Sequence, residues 1–210
     1  MIFENREQAG KLLAQELKDY KNNKDTLVIG LARGGIVVAA EIAKELNLPL
    51  DIMAPRKIGA PFNPELAIGA ITEDGQAILD ENLVNMLGVS TEYIEKEIEQ
   101  EREEAKRRVQ AYRSSRSALN LENKTVILVD DGIATGSTIK AAIKSVQSQQ
   151  ANTIIIAVPV ALLSTIKELE SLAYSVIYLA SPVDLGAISR FFRNFTQTGD
   201  DQVVEIMNSF

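Results

Sequence analysis

The 210-residue chain contains no cysteine and no histidine. Those two absences together remove thiol nucleophiles, disulfides, zinc–thiolate sites, His-containing triads and imidazole general bases. Any metal must sit among oxygen donors, which points to Mg2+ or a similarly hard ion. The missing cysteine fits a reducing compartment. The N-terminus, MIFENREQAGKLLAQEL, is amphipathic and carries acids, unlike a signal or transit peptide, so the expected location is the cytoplasm. Aromatics make up only 5% of residues, too few for a platform stacking successive bases of a nucleic-acid strand. Excess positive charge is also missing. Lys and Arg number 22 against 29 Asp and Glu, for a net charge of −7, which argues against a nucleic-acid partner. No run reaches the roughly 18 consecutive apolar residues of a membrane span. Repeats and low-complexity segments are absent as well. What remains, 46% hydrophobic and 24% charged, is ordinary for a globular protein with enough length for one domain spanning 1–210.

Residues 126–138 read VILVDDGIATGST. Four apolar residues, Val126 to Val129, run straight into two adjacent acids, Asp130 and Asp131. Gly132, Ala134, Thr135, Gly136, Ser137 and Thr138 follow, and a helical pattern begins at Ile139. A strand ending this way places two carboxylates at the carboxyl edge of a sheet, where open α/β folds bind ligands. Small residues let backbone N–H groups approach an anion, and a helix N-terminus adds orphan donors and a favourable dipole. The acids repel phosphate but suit vicinal hydroxyls, which donate to carboxylates, or a Mg2+ ion. The pattern therefore fits a ligand with hydroxyls at one end and a phosphate at the other, such as a ribose 5-phosphate. It is not a Walker loop, because no Lys follows Gly136, and it is not GxGxxG. A plain buried strand followed by a helix capped by Ser137 or Thr138 would explain the apolar run and the hydroxyls. It would not explain adjacent acids before a Gly-x-x-x-Gly turn.

Leu31-Ala32-Arg33-Gly34-Gly35 repeats this design at another strand end, with a cation added. Alone, Gly-Gly before a helix is equally a tight strand-to-helix turn. Beside residues 126–138, two anion cradles suit a ligand carrying phosphate at both ends.

Periodicity predicts a helix over about 5–20, a strand over 26–31, a helix over 36–46 and a strand over 50–53. Three prolines and a glycine predict a loop over 54–66. Residues 67–71 and 77–79 look like paired strands joined by a turn at Glu73–Gly75. A charged helix is predicted over 91–117, with Thr91 as N-cap, i,i+4 pairs Glu103–Arg107 and Glu104–Arg108, and a thin seam of Ile94, Ile98, Ala105, Val109 and Tyr112. That seam has either the same chain or a partner subunit to meet. A helix to about 150, a strand over 153–160, a helix over 164–172 and a strand over 174–180 complete the alternation. The expected fold is α/β, a mostly parallel sheet with helices on both faces, occupying about 24–180 with the charged helix inserted. The tail, about 181–210, holds four phenylalanines and a short terminal helix.

Residues 126–138 resemble, position by position, the signature of type I phosphoribosyltransferases, which bind 5-phosphoribosyl 1-pyrophosphate (PRPP). The resemblance implies that Asp130 and Asp131 meet the ribose hydroxyls and that Ala134, Thr135, Gly136, Ser137 and Thr138 wrap the 5′-phosphate. It implies that Arg33, Gly34 and Gly35 form the pyrophosphate loop, with a non-proline cis peptide at Ala32–Arg33 or Arg33–Gly34. Arg56 and Lys57 fall where such enzymes carry a mobile loop that closes over PRPP, and cations there would stabilise departing pyrophosphate. The alternative for these two is a solvated surface pair. The tail would form the small hood over the acceptor. There Asp184 and Asn194 could read base edges, and Phe191 and Phe192 could stack on a base or fill core. The tail lacks the base-recognition patterns of purine, adenine, uracil or orotate enzymes, and the chain lacks the cysteines of the competence-related members. The whole looks most like a poorly characterised bacterial subgroup of the family. The implied activity is transfer of the phosphoribosyl group to a nitrogen acceptor, with Mg2+ held by PRPP oxygens near Asp130 and Asp131, in a homo-oligomer. Two alternatives stand beside it: a non-catalytic PRPP- or nucleotide-sensing regulator of the same fold, and a plain doubly wound domain, flavodoxin- or response-regulator-like.

Overall fold

The computed structural model describes residues 1–71, 75–113 and 116–210. In chain order the elements are α1 (Arg6–Glu16), β1 (Thr26–Leu31), α2 (Gly34–Leu46), β2 (Leu50–Met53), β3 (Arg56–Ala60), β4 (Asn63–Ile71) and β5 (Ala77–Leu79). They continue with α3 (Glu81–Leu87), α4 (Thr91–Arg113), β6 (Thr125–Val129), α5 (Ser137–Ser148), β7 (Thr153–Val160), α6 (Leu163–Leu169), β8 (Ser175–Ala180) and α7 (Asp200–Asn208).

The apolar, β-branched runs become the centre of a five-stranded sheet in the order β2-β1-β6-β7-β8. Every pairing in it is parallel. Residues alternate between two cores, as strand geometry requires. Val28, Ile127, Val129, Ile155 and Ala157 pack on α1, α2 and α7. Leu27, Ile29, Leu31, Val126, Leu128, Ile156 and Val158 pack on α5 and α6. Burial on both faces explains why these strands read as unbroken hydrophobic runs. The chain reverses its direction of travel across the sheet between β1 and β6, whose register sets Gly30 beside Val129. Ligands of open α/β sheets bind in the crevice at such a switch point. Both glycine-rich motifs leave the sheet there.

Residues 54–66 differ from the predicted loop. They form most of an antiparallel hairpin, β3 with β4, extended by β5 into a three-stranded sheet. The prolines are accommodated instead of excluded. Pro55 precedes β3, Pro61 lies in the turn, and the register shifts around Gly59. A Cβ on Gly59 would stand 2.8 Å from the Cα of Pro64, so the glycine and the bulge together let a proline enter a strand. Of the predicted turn, Glu73 and Asp74 lie outside the described residues, while Gly75 takes φ +83°.

α4 begins one residue earlier than predicted. Its cap is Ser90, whose Oγ accepts from the Tyr93 N–H at 3.3 Å, and Thr91 is the first helical residue. The apolar seam meets this same chain. Ile94, Ile98 and Ala105 pack against Ile58, Ala60, Ile68 and Ile71 of the hairpin. Tyr112 and Val109 reach the main core. Glu104, not Glu103, receives Arg107, together with Arg108, each at 2.7 Å, and the two guanidiniums lower its pKa to about 2. α3 is too short for an apolar pattern to show in the sequence: it is only 7 residues long and buries none of them. α1 stops at Glu16 because the Leu17 N–H is shared between Leu13 and Ala14, tightening the chain into a 3₁₀ turn at Lys18–Tyr20.

One polar cluster fixes α4 to the sheet. Asp51, 4% exposed in β2, takes Arg113 Nε at 2.9 Å and Nη2 at 3.2 Å, and also accepts from the Leu119 N–H at 2.9 Å. Removing the arginine would strand a buried carboxylate. Arg113→Ala should therefore cost about 3–5 kcal/mol, read as a shifted midpoint in urea unfolding at unchanged slope.

Candidate active site

The acid pair sits where β6 ends, directly beside the end of β1. Asp131 turns its backbone N–H onto Asp130 Oδ1 at 2.9 Å. The glycines of the neighbouring motif lie against both carboxylates. A Cβ on Gly34 would collide with the Asp131 carboxylate, standing 2.6 Å from its Cγ. A Cβ on Gly35 would stand 2.7 Å from the Val129 carbonyl and 2.8 Å from Asp130 Cα. These two glycines therefore answer a demand for close backbone approach. The peptide bond between Ala32 and Arg33 is cis. Arg33 reaches Asp200, at the start of α7, with Nη1 at 3.5 Å. Asp200 is itself held by the buried Tyr112 hydroxyl, which donates at 2.7 Å and is pushed up to about 12, chiefly by burial.

The turn after the acids is braced from the adjoining strand. Ile133 forms a parallel bridge to Ala161, and its N–H donates to the Val160 carbonyl at 2.9 Å. Thr165 Oγ1 donates to the Ala134 carbonyl at 2.7 Å. Gly136 takes φ +77°, a left-handed conformation open to glycine, and leads into α5 at Ser137. Neither Ser137 nor Thr138 caps α5, because Gly136 occupies that position without a side chain. The N–H groups of the first turn of a 12-residue helix thus begin at the end of this loop. Thr135 Oγ1 and Ser137 Oγ lie 3.2 Å apart at its mouth.

Electrostatically the centre of the site is a buried acid pair with the Arg6 guanidinium against it. Burial, followed by the charge of Asp131, raises the Asp130 pKa well above the usual carboxylate range. Burial also raises Asp131, while the Arg6 guanidinium opposes that rise. Arg6 Nε donates to Asp131 Oδ2 at 2.7 Å, and Nη1 donates to the Thr196 carbonyl at 2.8 Å. The guanidinium lies 3.8 Å from the centre of the Phe195 ring. Sequence reading missed Arg6, which lies 125 residues from Asp131. One signal was available. Arg6 opens α1, and a cation in a first helical turn opposes the helix dipole, so a tertiary partner was implied.

The other candidate residues are placed less directly. Arg56 and Lys57 open β3 instead of lying in a loop. Arg56 is engaged by Glu101 of α4 at 2.6 Å, and Lys57 stands across the hairpin from Ala70. Phe192 is 6% exposed, packed between Phe3 and Phe195 at centroid distances of 5.3 and 4.8 Å. That burial leaves no ring face for a base, so of its two readings Phe192 fills core and does not stack on an acceptor. Phe191 is half-buried beside it. The Asp184 carboxylate accepts from the Gly186 N–H at 3.0 Å in a local turn. Asn194 lines a polar cavity of about 80 Å3 with Asn5, Arg6, Thr196, Thr198 and Gln202. The N-terminus joins this tail: Phe3 bridges Phe192 in parallel. Ile188 presses on the acid turn, for a Cβ on Gly132 would stand 2.6 Å from it.

Among the described residues, no group of three or more acids is arranged to hold a metal, and no helix is long and apolar enough to cross a membrane.

The model of the phosphoribosyl transferase domain matches residues 1–187. Two Mycobacterium tuberculosis proteins, from strains CDC 1551 and H37Rv, are provisionally named phosphoribosyl transferases and are 38% identical over 207 residues. The alignment covers 99% of this chain but 46% of theirs, so the chain spans about half the length of these relatives. The crystal structure of TT1426 from Thermus thermophilus is 35% identical, with a TM-score of 0.84 over 100% of this chain and 99% of that one. A domain model covering most of the chain, with the acid pair, amide turn and glycine loop gathered at one sheet edge, places the protein in the phosphoribosyltransferase family, with the type I fold.

Proposed function

We propose that the protein transfers the 5-phosphoribosyl group of PRPP to a nitrogen of a small acceptor, a nucleobase or related heterocycle, releasing pyrophosphate. The observation that carries this reading is the contact of Gly34 and Gly35 with the Asp131 and Asp130 carboxylates. A ligand spanning from the amide turn to the glycine loop must pass over the acid pair. In this reading the 5′-phosphate lies on the N–H groups of 134–138, the ribose hydroxyls donate to the aspartates, and the pyrophosphate lies on 33–35.

The chemistry follows from charge. As the bond from the anomeric carbon to pyrophosphate breaks, positive charge develops on the ribose ring, and negative charge at the hydroxyl edge stabilises it. Asp131, the better ion-paired of the two acids, supplies that charge. The acceptor nitrogen bonds to the same carbon from the opposite side, so no covalent nucleophile is needed from a chain without cysteine or histidine. Mg2+ fits this site as a substrate-borne ion. The donors are all oxygens, and one Asp131 oxygen already serves Arg6, so PRPP oxygens would provide its ligands. When bound, the ion neutralises charge on the leaving pyrophosphate.

The test is pyrophosphate release from PRPP and Mg2+ against a panel of purine, pyrimidine and related acceptors. Release that depends on one acceptor, and that chelation of Mg2+ reduces to background, is the expected result. Tight PRPP binding with no release for any acceptor would favour the sensing alternative.

A further inference from the structure

We propose that Arg6 is a positioning residue for phosphoribosyl transfer: it fixes the orientation of the Asp131 carboxylate and fastens the segment above the site to it. The proposal rests on the reading of Asp130 and Asp131 as the ribose site, and goes beyond it by assigning a role to the N-terminal helix.

Three contacts define the geometry. Nε meets Asp131 Oδ2, Nη1 meets the Thr196 carbonyl, and the guanidinium carbon lies over the Phe195 ring. The side chains of Arg6 and Asp131 are only 10% and 15% exposed, so neither can trade this partner for bulk water. Thr196 and Phe195 belong to the tail that pairs with the N-terminus through Phe3 and Phe192. One guanidinium thus ties α1, the tail and the strand end together. It occupies the side of Asp131 next to Gly34, since a Cβ on that glycine would stand 2.9 Å from Arg6 Nε.

This placement leaves the carboxylate usable. A carboxylate offers two oxygens and about four lone-pair directions. Arg6 takes one, which leaves the Oδ1 edge for a hydroxyl. The charged groups facing Asp131 are Arg6 from α1 and Asp130 from its own strand end. Without the arginine, two adjacent buried acids would favour protonated forms, and a protonated carboxyl neither attracts hydroxyl donors as strongly nor stabilises ring charge. A planar fork is better suited to this task than an ammonium, because it holds an orientation while meeting a second acceptor.

The test uses the full chain, two probes and two variants. Ribose 5-phosphate needs the acid pair as well as the amide turn; inorganic phosphate needs only the amide turn or the glycine loop. Calorimetry should show Arg6→Gln weakening ribose 5-phosphate by about tenfold or more, as losing a hydrogen bond to a charged group would. Phosphate should change by less than about twofold. Arg6→Lys keeps the charge without the fork and should weaken the sugar phosphate by an intermediate factor, about threefold, with the same selectivity. It also serves if the glutamine variant does not fold. Equal weakening of both probes, or no weakening of either, would overturn the proposal while wild-type ribose 5-phosphate binding upheld the site. Absence of binding by the wild type would overturn both.

Discussion

Asp131→Asn should lower the rate of pyrophosphate release by about 10²–10³ while the protein stays folded, the scale seen when one preorganised electrostatic partner is removed. The isosteric amide keeps an oxygen for Arg6 Nε but carries no charge to set against the positive ribose. Two effects on stability oppose each other. The substitution strips Arg6 of its anion in a site 10% to 15% exposed, which destabilises. It also relieves Asp130 of a like-charged neighbour that raises its pKa, which stabilises. The net change in unfolding free energy should stay within about 2 kcal/mol, below the roughly 3–4 kcal/mol that the loss of rate represents. Steady-state kinetics and urea unfolding on the same preparation separate the two. A variant that turns over like the wild type would remove Asp131 from the mechanism.

Gly34→Ala should be the second most damaging change, from a single methyl group. Its Cβ would stand 2.6 Å from Asp131 Cγ, where carbon atoms prefer about 3.5–4.0 Å. Either the glycine loop or the carboxylate must move by about 1 Å. A displacement of that size at a reacting centre costs about 10² in rate, and overpacking costs about 1–3 kcal/mol of stability. Gly199→Ala is the control, because nothing lies within 4 Å of a Cβ there. Comparable turnover for the two variants would show that the glycine loop does not bear on catalysis.

Fold and site differed in how far they could be read from the residues. The central strands β1, β6 and β7 declared themselves because burial on both faces leaves unbroken apolar runs, and β1 and β2 fall on their expected bounds. The acid pair, the amide turn and the glycine loop were legible because each is contiguous and chemically unusual. The hairpin was hidden by its prolines, since a bulge at Gly59 is a local solution that composition does not announce. Arg6 was hidden by separation: an ion pair spanning 125 residues has no local pattern. Asp51 was hidden in the opposite way, as a charged residue within a strand that otherwise reads as core. The tail was legible only as a cover. Its phenylalanines turn out to divide between core and rim because the N-terminal Phe3 packs among them.

The most direct measurement is a crystal structure of the protein with PRPP and Mg2+ bound. It should show the ribose hydroxyls within hydrogen-bonding distance of Asp130 and Asp131, the 5′-phosphate on the backbone amides of 134–138, and the pyrophosphate over Gly34 and Gly35. A sugar phosphate lodged away from the two aspartates would contradict the account at its centre.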